Sequence, residues 1–171
     1  MEFRMHAIIL KIIESLQANG SWTGKTHIQK SIFLFQETTP VDKLFTFVLY
    51  KHGPYSFEIE DELEQMKSYA AISIKAVGQV GVELKPSVNA AYVEDHAALS
   101  STERQNIEKI GEFVGAKNVM ELERIATTVW VRSREGLTDS TAVAARVHAL
   151  KPHVSISDAL TADKEALGCL R

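Results

Sequence analysis

Residues 72–85, "ISIKAVGQVGVELK", decide how this chain folds. Ile72, Ile74 and Ala76 alternate with polar residues on one arm, Val80, Val82 and Leu84 do the same on the other, and a Gly-containing turn separates them. Period-two alternation about such a turn predicts a β-hairpin, because successive strand side chains point to opposite faces. What precedes it is helical. "FRMHAIILKIIESLQANG" carries Met5, Ile8, Ile9, Ile12, Ile13 and Leu16 at the spacing of one helical face. "KTHIQKSIFLFQE" sets Ile28, Ile32 and Phe35 on one face, widened by Phe33 and Leu34, and "SFEIEDELEQMKSYA" repeats the pattern with Ile59, Leu63, Met66 and Ala70. Three helices and then a hairpin is the winged-helix order, an elaboration of the helix-turn-helix.

The connections supply detail. Asn19 and Gly20 stop the first helix, and Thr26 with Gln29 predicts a capping box for the second. Beyond Pro40, "FTFVLY" reads equally as a short strand or an extended connector. Pro54 biases Gly53 towards an extended conformation, Ser56 is the expected N-cap of the third helix, and Glu58 and Glu60 suit the positive end of its dipole. After residue 95 the pattern is helical throughout. Ser101 and Arg104 form no capping box there. The apolar stripes are Ile107, Ile110, Phe113 and Val114, closed by Gly115; Val119, Leu122, Ile125, Ala126, Val129 and Trp130; Val143, Val147 and Leu150; and Ile156, Leu160 and Leu167. The expected fold is therefore mainly α (α+β). A winged-helix-like unit with a hairpin wing spans 1–95, a helical C-terminal bundle spans 96–171, and the two pack as one compact domain. With 171 residues, 45% of them hydrophobic, the chain can bury a substantial core without metal or disulfide staples.

"NGSWTGKT" looks like a phosphate-binding loop but is not one. Gly20 and Gly24 are separated by three residues where the motif needs four, and a helix precedes them where it needs a strand. The net charge of -3 offers no global basic field for nucleic acid. Six histidines show no ligand-spaced pair and no accompanying cysteine, so neither a metal nor a cofactor is expected. A lone Cys169, no apolar run of membrane-spanning length and no signal-like start point to a cytoplasmic protein.

The segments "GKTHIQKSIFLFQE", "FTFVLYKHGPYSFEIEDELEQM", "LERIAT" and "LKPHVS" together resemble the YwgA-like uncharacterised proteins, relatives of the Panacea or SocA-type antitoxin domain. "YKHGPYS", residues 50–56, carries the resemblance most specifically. It implies a winged-helix-like, mostly helical bacterial protein of defence or mobile-element systems, in a group where some members bind toxins directly and one kind serves as an adaptor for proteolysis. It supplies no catalytic residue. This chain departs from the pattern near Glu60, where a basic residue is expected.

Three functions compete. A groove-reading third helix needs Lys, Arg, Asn or Gln on its outer face. This one offers Glu58, Glu60, Asp61, Glu62 and Glu64 against Gln65 and Lys67, so DNA binding is the alternative rather than the leading reading. Any phosphate contact falls to Lys25, Lys30, Lys75 and Lys85. Catalysis would need Ser56, His52 and Asp61 to assemble a triad, and Ser56 reads better as a helix cap. Protein binding fits best: an acidic helix beside a Tyr/His-rich loop suits another protein, such as a basic toxin or complex subunit. The partner-binding residues are Lys51, His52, Tyr55, Glu58, Asp61 and Glu62, while Tyr50 and Phe57 are expected to plug the core.

Overall fold

Helix α1 (Glu2–Ala18) buries Ile8, Ile9, Ile12, Ile13 and Leu16 along one face, as its spacing requires. In this computed structural model, which describes residues 2–79 and 81–169, the chain is mainly helical, with eight helices and two antiparallel hairpins among those residues. Helix α2 (Lys25–Thr38) is central. Every residue from His27 to Gln36 is buried, so apolar neighbours surround it and even its polar side chains lie inside.

The six-residue run that reads as strand or connector resolves into both. Phe45 and Phe47 plug the core, then β1 (Val48–Tyr50) pairs with β2 (Gly53–Tyr55) across a two-residue reversal at Lys51 and His52. Helix α3 (Phe57–Ser68) follows, burying Ile59, Leu63 and Met66. The decisive hairpin forms as expected from β3 (Ile72–Val77) and β4 (Gly81–Pro86), with Ile74 opposite Leu84. Its base is anchored by buried Ile72 and Leu84, whereas Ala76 near the tip is exposed. Val80 lies outside the described residues.

Helices α4 (Ala90–His96), α5 (Ser101–Val114), α6 (Val119–Glu135), α7 (Ser140–Leu150) and α8 (Ile156–Cys169) complete the chain. The larger core joins α1, α2 and α3 to Ile107, Ile110, Leu122, Ile125 and Val129, so residues on both sides of position 95 fill one interior. Gly111 fits where α5 crosses α1, because a Cβ there would lie 2.0 Å from Ser15 Oγ. A smaller core of Val131, Val143, Ala144, Val147, Val154 and Ala159 ties α6 to α7 and α8.

Local chemistry corrects several expectations. No capping box forms at Thr26 and Gln29: the N-cap of α2 is Gly24, and the Gln29 amide is buried, donating to Ser56 O at 2.8 Å and accepting from Ser56 N at 3.0 Å. Ser56 occupies the N-cap position of α3, yet its hydroxyl makes no capping bond. Gly53 is not extended but has φ +86, as the tight reversal demands. At α5 a complete capping box is present one residue earlier than Ser101, between Ser100 and Glu103. Helix α8 is rotated from its expected face: Ile156 and Leu160 are exposed, and Ala159, Ala162, Asp163 and Ala166 are buried.

Candidate partner-binding surface

The β1–β2 hairpin is held from below by charges. Lys30 enters from α2, only 2% exposed, and its ammonium donates to Pro54 O at 2.7 Å. Lys151, just beyond α7, donates to Tyr50 O at 2.9 Å and also to Lys51 O. Between them, Glu123 of α6 lies 3.5 Å from Lys151 Nζ, with His153 at 3.4 Å and His52 at 3.6 Å. Burial disfavours the charged form of Lys30 and pulls its pKa down to about 8, although the Glu123 carboxylate opposes the shift. A close backbone approach completes the seat. A Cβ on Gly53 would come within 3.1 Å of Thr127 Oγ1 and 3.6 Å of Lys30 Cε.

Held this way, the hairpin presents aromatic rings outward. Tyr50 is 56% exposed and Phe57 is 59% exposed, which corrects the expectation that both plug the core. The reversal turns them away from the interior that Phe45 and Phe47 already fill. Tyr55 joins them, with ring centroids 5.6 Å from Tyr50 and 5.0 Å from Phe57, and Val48 extends the patch. Beside it lies a small cavity of about 170 Å³ lined by Lys25, Thr26, Gln29, Tyr50, His52 and Glu60. Glu60 bonds Lys25 Nζ at 2.6 Å. Burial raises the Tyr55 phenol pKa, and the neighbouring Glu60 carboxylate raises it further.

The acids of α3 differ in availability. Asp61 and Glu64 are exposed, but the Glu58 carboxylate accepts from Thr46 N at 2.7 Å and Glu62 turns inward to His6 at 2.5 Å. Lys51 and His52 are exposed at the reversal, beside Tyr55. The four residues proposed for phosphate contact are scattered. Lys30 is buried with its ammonium held by Pro54 O, Lys25 is paired with Glu60, and Lys85 pairs with Glu83 at 3.0 Å. Lys75 is exposed but lies opposite Glu83 on the neighbouring strand. Nor does a triad assemble, since Ser56 is buried without a side-chain partner and the His52 ring faces Glu123. Among the described residues no group of His, Cys, Asp and Glu could hold a metal ion.

Sequence reasoning missed Glu123, Lys151 and His153. The signal was present in part: Lys30 and Glu123 both interrupt apolar helical faces, and a charge in such a position needs a buried partner. No helix is long and apolar enough to cross a membrane among the described residues. Comparison with protein-family models found no match, and comparison with curated proteins found none either.

Proposed function

We propose that this chain is a non-catalytic protein-interaction module, antitoxin-like or a subunit or adaptor of a bacterial defence or mobile-element system, working in the cytoplasm. The observation that carries this reading is the exposed cluster of Tyr50, Tyr55 and Phe57. Three rings in mutual contact, two on a hairpin fixed from beneath and the third at the start of α3, offer rigid anchor area at little entropic cost, which is what interface hot spots supply. Asp61, exposed near Tyr55, favours a basic partner, whose arginine side chains can stack on the aromatics while meeting the carboxylate. The resemblance to YwgA-like and Panacea-type proteins points the same way.

The winged-helix reading is supported by element order and by the loop between α1 and α2, where Leu84 N donates to Thr23 O at 3.0 Å and Thr23 Oγ1 donates to Leu84 O at 2.7 Å. That arrangement would ordinarily raise the case for DNA. Here the outer face of α3 is acidic and two of the four candidate lysines are occupied by carboxylates, so repulsion outweighs what the fold suggests.

The test is affinity capture from the native cell with the unmodified chain, a Tyr50→Ser/Phe57→Ser variant and an Asp61→Lys variant, each checked by thermal melt. One stoichiometric basic protein should accompany the unmodified chain and be lost from both variants. An unchanged partner profile, or sequence-selective DNA binding at physiological salt, overturns the proposal.

A further inference from the structure

A second cavity, of about 360 Å³, opens at the other end of α3 and is lined by Phe3, His6, Tyr69, Asn89 and Tyr92. Its size lies within the range of small-molecule sites. Behind it runs a relay of three polar side chains: Glu62 Oε2 is 2.5 Å from His6 Nε2, and His6 Nδ1 is 2.7 Å from the Tyr69 hydroxyl. The His6 ring thus bridges the Glu62 carboxylate, which accepts from Nε2, and the Tyr69 hydroxyl. The Glu62 carboxylate therefore stands directly behind the His6 ring at the wall of the cavity.

The other walls are aromatic. Phe3 and Tyr92 meet edge to face at 5.7 Å, and Tyr92 is 49% exposed at the rim, lying over His96 with centroids 3.9 Å apart. The lining contains no Lys or Arg. Backbone geometry holds the site in place. Tyr69 is the C-cap of α3, Asn89 Nδ2 donates to Tyr69 O at 2.6 Å, and Ala70 beside it is held at φ +60, a left-handed conformation that L-residues seldom adopt.

We propose that this cavity is a binding site for a small organic cation of the alkylammonium class. Aromatic faces attract a cation through their quadrupoles, the Glu62 carboxylate behind His6 has the complementary sign, and no Lys or Arg of the lining opposes entry. A neutral molecule of the same shape gains only the apolar contact.

Choline and its uncharged carbon isostere, 3,3-dimethylbutan-1-ol, are the probes, titrated into the full chain by calorimetry with NMR of the aromatic signals. Choline should bind saturably, the isostere should bind about tenfold more weakly, and Tyr92→Ala, which alters a half-exposed ring, should abolish choline binding. Glu62→Gln should narrow the gap between the probes. Equal affinity for the two probes, choline binding unchanged in Tyr92→Ala, or no saturable choline binding each overturns the proposal.

Discussion

Lys30 shows what one residue does to stability when its charge is taken out of water. Its folded pKa is about 8 against an ordinary 10.5, so below about pH 8 the amine is charged in both states and burial of that charge costs the fold in full. Between the two values the folded amine has lost its proton while the unfolded one keeps it. Stability therefore rises with pH across that window, by up to about 3 kcal/mol. Lys30→Met removes this dependence. Urea unfolding at about pH 7.5 and about pH 10 should show the unmodified chain gaining on the variant at the higher pH; an equal difference at both values would contradict the burial of the charge. Ala70 carries a cost of another kind. Ala70 N bonds Lys67 O and Ala71 N bonds Met66 O, the helix termination that normally places glycine at the left-handed position. Ala70→Gly should stabilise the chain by about 1 kcal/mol, measured by thermal melt. Gly53→Ala should do the opposite, losing about 1 to 3 kcal/mol, because it meets both positive φ and the close contact with Thr127.

Among the elements, α8 shows why part of the fold was not legible in the sequence. Ile8 to Leu16 in α1 and Ile59 to Met66 in α3 bury the residues that their spacing marks, although α1 is covered more widely and also buries His6, Ala7 and Leu10. Helix α8 has two competing faces, one of large aliphatics and one of alanines around Asp163. The alanine face wins, since small side chains let α8 approach α6 closely and Asp163 meets Arg132 in a paired contact at 2.6 and 2.7 Å. Hydrophobic spacing carries no information about such an ion pair. The same blindness hid Glu123 and Lys151, whose partners lie far away along the chain, whereas the β3–β4 hairpin was legible because its pattern and its turn are local. A contrast between two substitutions tests the assignment. Asp163→Ala takes the carboxylate from a partly buried guanidinium that keeps only Thr138 O and Ser140 Oγ, and should cost about 1 to 3 kcal/mol. Leu160→Ala, the greater loss by hydrophobicity alone, should stay below about 1 kcal/mol because its side chain is 41% exposed. Chemical denaturation of both variants decides, and a larger effect at Leu160 would restore the face that the spacing suggested.

Across the whole molecule, the surface proposed to bind and the core that supports it belong to different parts of the chain. Tyr50, Tyr55 and Phe57 come from the first ninety-five residues, but the hairpin that carries Tyr50 and Tyr55 rests on Glu123, Thr127 and Lys151 from the last seventy-six. Ile107, Leu122, Ile125 and Val129 also fill the interior around α1 and α2. Cut off at residue 95, the N-terminal part would leave α2 exposed along the faces that α5 and α6 cover, and Lys30 would lose its countercharge. Residues 1–95 alone should therefore lack a cooperative thermal transition, while the whole chain should unfold in one transition with coincident far-ultraviolet and near-ultraviolet circular dichroism, as a shared core requires. The consequence for binding is a separate expectation. Lys151→Met, remote in sequence from the rings and buried beneath them, should weaken partner capture by releasing the Tyr50 and Lys51 carbonyls, with the overall helix content unchanged. If that variant captures its partner as well as the unmodified chain does, the hairpin is rigid without its ionic seat, and the aromatic patch owes its shape to Gly53 and the α2 packing instead.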